Sequence, residues 1–229
     1  MIEEQALRNI PRFAGLSPQA RRGLAGLLVR QTFERGSLIF MEGSPCTLFH
    51  VVESGVVKVY TTLESGKELI LGFIYPGEPL GEVALIDNID LPGSAVAQDA
   101  VTLLTLSREE YFAHMERYPE IALAAIRDLS LRMRALRERV VELGDGGVES
   151  RLAHVLLALG DRIGTATHNS CRVPIQLSRQ ELAAMVGARI ETVIRIMSRW
   201  QKEALVHTLP DGFLIQDTTA LNLMRNSGG

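Results

Sequence analysis

The sequence predicts an α+β protein with a strand-rich N-terminal domain, one long helix and a helical C-terminal domain. Short runs of Val, Ile, Leu, Phe and Tyr between residues 31 and 107 alternate with turns containing Gly and Pro, which is typical of a small sandwich or barrel. After Pro119, apolar residues recur every three or four positions, which indicates a long helix. Near the C-terminus, two short amphipathic segments meet at Gly187, which indicates two helices joined by a tight turn.

The composition is that of an ordinary globular protein. The chain has 229 residues, of which 46% are apolar and 22% charged, and a formal net charge of −3. A length above the ~100–150 residues of a common domain suggests two unequal domains. The N-terminus lacks the features of a signal peptide, and no apolar run reaches the ~18 residues of a membrane span. We therefore expect a cytoplasmic protein in which Cys46 and Cys171 remain free thiols.

Capping signals and glycines delimit the predicted elements. Ser17 with Pro18 marks a helix start before the strand region, and Ser107 with Glu110 forms a capping box at the end of that region. The glycine-rich residues 144–147 are the best candidate for a domain boundary. The sequence predicts a first domain at residues 1–118, a dimerisation helix at 119–143 and a last domain at 144–229. Within the last domain we expect a helix at 148–162 and a polar loop at 163–171.

The long helix carries apolar residues with the spacing of a coiled coil. Intervals of four and three residues alternate along it, and most positions between are Arg, Asp or Glu. This heptad pattern favours a dimer interface. The predicted interface residues are Ile126, Leu129, Met133, Leu136, Val140 and Leu143. A single helix packed on the sheet would also need an apolar stripe, so that alternative stays open.

The segment 177–200 has the features of a helix-turn-helix. Ser178 and Glu181 form a capping box, and Gly187 separates the two helices. Five basic and two acidic residues between positions 179 and 202 give this segment local positive charge in an acidic chain, as docking in a DNA groove requires. Asp211-Gly212 then indicates a β-hairpin, and so a winged form. An amphipathic helical pair with a solvated basic face is the structural alternative.

Candidate DNA contacts lie on the predicted exposed face of the second helix, at Arg189, Glu191, Thr192 and Arg195. An arginine can donate two hydrogen bonds to guanine, and a glutamate can accept one from cytosine. Arg189, Glu191 and Arg195 are therefore predicted to read bases. Thr192, together with Ser178 and Arg199, is predicted to contact phosphates.

Two long stretches resemble one protein family. "LSRQELAAMVGARIETVIRIMSRWQKEALV" closely resembles the DNA-binding region of the Crp/Fnr transcription regulators, and "GKELILGFIYPGEPLGEVAL" is similar to the β-roll and phosphate-binding cassette of that family. The resemblance covers nearly the whole chain. It implies a cyclic-nucleotide-binding-like β-roll, a long dimerisation helix and a C-terminal winged helix-turn-helix. The implied partners are double-stranded DNA, a second copy of the chain and RNA polymerase, with no membrane.

The resemblance also assigns DNA contacts. The family's Glu-x-x-x-Arg in the recognition helix is matched by Glu191 and Arg195, which would read a C and a G in each half-site. Arg179 and Gln180 match positions that contact phosphates. Ile190 stands where the cyclic-AMP branch of the family has an arginine, and Ile194 stands where a small residue is usual. As apolar side chains they could touch thymine methyl groups.

The cassette departs from the family pattern. Gly81 and Glu82 match its start, where the glutamate binds a ribose hydroxyl, but Pro92 and Gly93 stand about where an arginine should neutralise the cyclic phosphate. A buried phosphate without a cationic partner is costly, so cyclic AMP is not expected to be the effector. The candidate effector pocket comprises Gly81, Glu82, Val83, Ser94, Leu136 and Arg137. The last two replace the small hydroxyl residues that hold adenine in the cyclic-AMP branch.

Other sensors and other classes of function need ligand sets that can be compared with the residues of this chain. An iron-sulfur cluster needs four cysteines, and the chain has two. Haem could take an axial ligand from His50, His114, Cys46 or Met133, but no pair has ligand spacing, so a haem-based gas sensor is the less favoured version of the regulator. A cupin-like metal enzyme needs a close histidine pair, and no catalytic motif is apparent, so no enzyme and no metal site are predicted. A ligand-sensing adaptor that does not bind DNA remains the alternative.

Overall fold

The computed structural model of the chain describes residues 2–64, 68–145 and 147–226, except for the side chains of residues 135, 138–145 and 226. The chain divides into two units, Met1–Arg134 and Ala135–Gly229. The predicted α+β class is confirmed, since each unit contains both helices and antiparallel strands.

The described part of the first unit combines short helices with two small sheets. Its elements are α1 (Glu4–Arg8), α2 (Pro11–Ala14), α3 (Pro18–Leu27), β1 (Val29–Phe33), β2 (Leu38–Phe40), β3 (Leu48–Ser54), β4 (Val57–Thr62), β5 (Glu68–Ile74), β6 (Pro79–Leu80), α4 (Glu82–Asp87), β7 (Ser94–Ala97), β8 (Val101–Ser107), α5 (Arg108–Arg117) and α6 (Glu120–Asp145), which continues into the second unit. The strand orders are β1-β8-β3-β6 and β2-β7-β4-β5. The many short strands predicted for this region are thus arranged as a roll of two sheets.

The two faces of the first sheet are buried against different partners. Phe49 of β3 and Leu104 of β8 pack in one core with the helices. Val52 and Leu103, on the same two strands, pack in a second core with residues of the other sheet. Because successive residues of a strand point to opposite faces, this sheet separates a helical layer from the interior of the roll.

The second unit contains the end of α6 and a helical domain with one small sheet. The further elements are α7 (Val148–Ile163), β9 (Thr165–Thr167), β10 (Ser170–Val173), α8 (Arg179–Val186), α9 (Ile190–Lys202), β11 (Val206–Leu209), β12 (Gly212–Ile215) and α10 (Thr218–Asn226). The strand order is β11-β12-β10-β9. No helix in the described ranges is both long and apolar enough to cross a membrane.

The helix starts that were predicted from capping residues agree with the structure. Ser17 caps α3, and Ser107 and Ser178 form capping boxes at α5 and α8. The long helix begins at Glu120, but it ends at Asp145 instead of residue 143. Gly147 caps α7, and Gly146 lies outside the described residues.

The polar loop predicted at residues 163–171 is wrong, because β9 and β10 form a hairpin there. Cys171 of β10 lies opposite Ile215 of β12, so the hairpin extends the sheet of the predicted wing. Each strand is only three or four residues long, too short to show a clear alternation. Strand β12, which pairs with β10 and stabilises the hairpin, lies more than forty residues further along the chain.

Candidate nucleic-acid interface and effector site

Helices α8 and α9 are joined by a glycine in the left-handed backbone region. Gly187 has a φ of 61° and ends α8, a conformation that is strained for a residue with a Cβ atom. Leu182 of α8 and Val193 and Trp200 of α9 are buried. The two helices therefore share the core of the second unit, as a helix-turn-helix requires.

One face of α9 is buried and the opposite face is open to solvent. Val193, Ile196 and Met197 are buried. Glu191, Ile194 and Arg195 are exposed, and their spacing of three and four residues places them on one side of the helix. The predicted base-reading face is thus an exposed surface with an apolar residue between two charges.

Arg189, Ile190 and Thr192 lie at the start of this helix. Arg189 is its exposed N-cap residue, and Ile190 and Thr192 are half-buried in the first turn. Among the residues that the structure describes, neither Arg189 nor Arg195 has an ion-pair partner. Both cations are therefore available to a ligand.

The predicted phosphate contacts at the start of α8 are in part engaged within the protein. The Ser178 hydroxyl accepts a hydrogen bond from the Glu181 backbone at 3.1 Å. Half-buried Arg179 donates to the Thr208 hydroxyl on β11 at 2.6 Å, and burial lowers the pKa of Arg179. Gln180 is exposed. This region therefore links α8 to the wing while leaving Gln180 free to reach outward.

Arg199, which is predicted to contact phosphate, is exposed but already engaged within the protein. Its guanidinium forms an ion pair with Glu149 of α7. The same carboxylate oxygen, Oε1, accepts a hydrogen bond from the buried indole N–H of Trp200 at 2.9 Å. Glu149 is fifty residues away from Arg199 in sequence, so spacing along the chain gave no sign of this contact.

The wing tip carries a further cation that sequence reasoning did not single out. Arg172 of β10 is exposed and forms an ion pair with Asp211 in the β11–β12 turn. Gln176 donates a side-chain hydrogen bond to the Pro210 carbonyl of the same turn. The basic charge beside the wing becomes apparent only once β10 is placed next to β12.

In the first unit, Glu82 is paired with a cation from the N-terminal helices. Its carboxylate accepts a hydrogen bond from Arg12 Nη1 at 2.8 Å and one from the Tyr111 hydroxyl at 2.7 Å. The Arg12 and Glu82 side chains are only 1% and 4% exposed. Arg12 also contacts Asp128 of α6 at 3.4 Å. The cassette carboxylate is thus held by two residues of this chain, Arg12 and Tyr111.

The surroundings of this pair show which way Glu82 faces. The Tyr111 ring stacks on Phe49 at 4.1 Å between centroids, and the Arg12 guanidinium lies 5.4 Å from the same Phe49 ring. Phe49 and Tyr111 belong to the core between the sheet and the helices, so Glu82 faces this core.

Burial alone would lower the pKa of Arg12, but the hydrogen bond to Glu82 and neighbouring negative charge outweigh it, so this pKa is raised.

The remaining cassette positions supply no cation for a phosphate. A Cβ atom at Gly93 would lie 2.9 Å from the Tyr60 carbonyl oxygen and 3.0 Å from Leu71. Buried Ser94 accepts a hydrogen bond from the Glu42 backbone at 3.0 Å. Gly81 caps α4 with a φ of 72°, and Val83 is exposed. The place of the family's arginine is therefore closely packed and uncharged.

Leu136 and Arg137 belong to the second unit, apart from the other candidate pocket residues. Both are exposed on α6. The other four candidates, Gly81, Glu82, Val83 and Ser94, belong to the first unit. The candidate pocket as a whole therefore stays a prediction.

The candidate haem ligands differ in burial and in their contacts within the protein. His50 is buried beside Phe40, its Nδ1 atom has no hydrogen-bond partner in the described residues, and burial lowers the pKa of His50 to about 4. His114 faces the Ala20 carbonyl at 3.0 Å. Met133 is 73% exposed, and the Cys46 thiol lies 3.5 Å from the Gly81 carbonyl.

The predicted dimer interface lies on an exposed side of α6. Ile126, Leu129, Met133 and Leu136 are all exposed apolar side chains. The side chains of Val140 and Leu143 lie outside the described residues. An exposed row of large apolar side chains on one helix is unusual for a soluble monomer and is typical of an interaction surface.

Comparisons with known proteins agree with both halves of this architecture. The sequence profile of the cyclic nucleotide-binding domain matches residues 30–118, and that of the Crp-like helix-turn-helix domain matches residues 150–224. The chain is 31% identical over 220 residues to the cyclic AMP receptor protein of Thermus thermophilus, covering 94% of this chain and 96% of that protein. It is 29% identical over 209 residues to a CRP-like cAMP-activated global transcriptional regulator of Mycobacterium tuberculosis, covering 91% and 93%.

A solved structure supports the fold independently. The crystal structure of a CRP/FNR family transcriptional regulator from Thermus thermophilus superposes with a TM-score of 0.72, at 24% identity, over 88% of this chain and 100% of that one. At this identity the comparison bears on the fold alone.

Removing Arg12 should destabilise the first unit. Arg12→Met leaves a buried, unpaired carboxylate, which costs about 3–5 kcal/mol. The double variant Arg12→Met/Glu82→Leu should recover most of that loss, because no buried charge is left unpaired. All four tyrosines lie in the first unit and Trp200, the single tryptophan, lies in the second. Urea unfolding followed by tyrosine circular dichroism, with Trp200 fluorescence as the internal control, measures the effect. Equal stability of the wild type and Arg12→Met would contradict the expected role of the pair.

Proposed function

Because the chain belongs to the Crp/Fnr family of transcription regulators, we propose that it acts as a homodimer on a near-palindromic DNA site. The observation that carries the proposal is the exposed face of α9, where Arg189, Glu191 and Arg195 are open to solvent while the opposite face is buried. A helix of this kind fits the DNA major groove. In this proposal residues 1–118 form the sensory domain, 119–143 the dimerisation helix and 144–229 the DNA-binding domain.

Sequence is read by the N-terminal half of α9. Arg195 donates two hydrogen bonds to a guanine, and Glu191 accepts one from a cytosine. Arg189 sits at the helix start, and Ile190 and Ile194 offer apolar contact to thymine methyl groups. The predicted phosphate contacts fix the position of the helix without reading sequence; they are Ser178, Arg179, Gln180, Thr192 and Arg199.

The exposed apolar row on α6 supports the homodimer. Its members are three or four residues apart, so they line one side of the helix and match the seam of a two-stranded coiled coil. Two-fold symmetry then presents two recognition helices to half-sites about 34 Å apart. This arrangement accounts for the near-palindromic site.

Cyclic AMP does not serve as the effector in this proposal. The residues of the cassette do not fit the nucleotide: Glu82 is hydrogen-bonded to Arg12 and Tyr111 on the helical side of the sheet, and Gly93 supplies no cation. A phosphate needs a charge-assisted partner when it is buried. Cyclic AMP appears in the names of two relatives from the same family. For this chain, the proposal follows the residues of its own cassette.

The activity we assign is binding, without a catalytic step. The regulator would work in the cytoplasm, where the chromosome is accessible, and would act on transcription through RNA polymerase. The relatives named above are transcription regulators, which supports this coarse assignment.

Arg195→Ala should reduce sequence discrimination. In a fluorescence-anisotropy titration against near-palindromic duplexes, we expect a loss of roughly 1–3 kcal/mol on the preferred site. The variant should no longer distinguish that site from one lacking the contacted G·C pair. Gln180→Ala is the control and should weaken all duplexes alike. An equal loss for Arg195→Ala on specific and random DNA would rule out base reading.

Leu136→Glu should separate the dimer. A charge in the apolar row cannot be buried without a partner, so light scattering should report a monomer. Leu131→Glu is the matched control, because Leu131 is also exposed but lies on the opposite side of α6. A Leu136→Glu protein that stays dimeric would show that this row is not the interface.

DNA binding should be indifferent to cyclic AMP. Titrations of the wild type with and without millimolar nucleotide should give the same dissociation constant, because the cassette carboxylate is already paired. The salt dependence recorded in parallel confirms that DNA phosphates are being contacted. A tenfold gain in affinity on adding the nucleotide would refute the proposed effector independence.

A further inference from the structure

Glu149 stands at the start of the DNA-binding domain. It is the second residue of α7, directly after the cap Gly147 and Val148. Its side chain is 36% exposed and reaches the last part of the recognition helix α9. It therefore joins the first turn of α7 to the C-terminal half of the helix that is proposed to read DNA.

A single carboxylate oxygen serves two groups of α9. Oε1 of Glu149 accepts the indole N–H of Trp200 at 2.9 Å and also the guanidinium of Arg199. Trp200 is completely buried, and a buried indole N–H needs an acceptor. The contact therefore fixes both the rotation of Trp200 and the side of α9 on which Arg199 lies.

The charges on this contact suit the helix ends on which they sit. Glu149 lies in the first turn of α7 and Arg199 in the last turn of α9, and these are the ends where negative and positive charges respectively are favoured. Burial raises the pKa of Glu149, but the hydrogen bonds from Arg199 and Trp200 outweigh it and the net pKa is lowered. The carboxylate is therefore ionised when the domain binds DNA at neutral pH.

We propose that Glu149 is a positioning residue for the recognition helix, and that Arg199 is its internal anchor and not a contact to DNA phosphate. The geometry carries this inference: Arg199 is held against α7 by its ion pair with Glu149, whereas Arg195 acts on Glu149 only by charge at longer range, and Arg189 has no ion-pair partner among the described residues. The inference rests on the proposed DNA-binding function and refines its set of phosphate contacts.

The test measures affinity and its salt dependence on a specific and on a random duplex. Glu149→Gln removes the charge but keeps an oxygen for Trp200, and Arg199→Gln keeps the Trp200–Glu149 hydrogen bond. Glu203→Gln is the matched control, because Glu203 also acts on Arg199 by charge but ends α9 without this contact. Trp200 fluorescence checks in each variant that the indole remains buried.

Positioning predicts a loss of discrimination without a change in the number of phosphate contacts. We expect Glu149→Gln and Arg199→Gln each to weaken binding to the specific duplex by roughly threefold to tenfold. Binding to random DNA and the salt slope should stay unchanged, and the double variant should be no weaker than either single one. Arg199→Lys, which keeps the ion pair, should recover part of the loss, and Glu203→Gln should behave as the wild type.

A phosphate role for Arg199 gives a different pattern. Arg199→Gln would then weaken both duplexes equally and reduce the salt slope by about 0.9 for each lost contact, and Glu149→Gln would tighten both by releasing Arg199. That result would overturn the inference while leaving the regulator intact. If the unaltered protein bound no duplex selectively, the proposed function itself would fail.

Discussion

The ion pair between Arg12 and Glu82 is the interaction on which the first unit depends. Both side chains are withdrawn from water, and a buried charge is tolerated only when it is paired and hydrogen-bonded. The pair forms where α2, α4, α5 and α6 meet, since Tyr111 and Asp128 complete it. Docking of α2 on α4 neutralises the two charges, and α5 and α6 add the Tyr111 hydrogen bond and the Asp128 contact. The N-terminal helices are thus part of the core of the first unit and not an appendage to the roll.

The functional charges of the two units have opposite surroundings, buried and paired in the first unit and exposed to solvent in the second. In the first unit, the carboxylate at the start of the cassette is enclosed by groups of the same chain, so no anion or hydroxyl from outside is needed to satisfy it. In the second unit, the cations of the N-terminal half of α9 are left in water, where an exposed charge costs little. When such cations bind a polyanion such as DNA, counterions are released from the polyanion, and this release favours binding. The cassette charge of the first unit is therefore satisfied within the chain, whereas the α9 cations of the second unit are left exposed to solvent.

Local patterns in the sequence were enough for much of this architecture. The capping boxes at Ser107 and Ser178 and the glycine between α8 and α9 act within a few residues, so their effect can be inferred without the fold. The pairs Arg12–Glu82 and Glu149–Arg199 could not be inferred, because their members are seventy and fifty residues apart. Contacts of that kind depend on which segments the topology brings together, and charge or spacing along the chain does not record this.

Gly93 limits which side chains the roll can accept. A Cβ atom there would lie 2.9 Å from the Tyr60 carbonyl oxygen and 3.0 Å from Leu71, distances at which something must shift. Because the closer of the two atoms belongs to the backbone of β4, an arginine at this position would require that strand to move. The packing of the roll therefore keeps this position small and without charge.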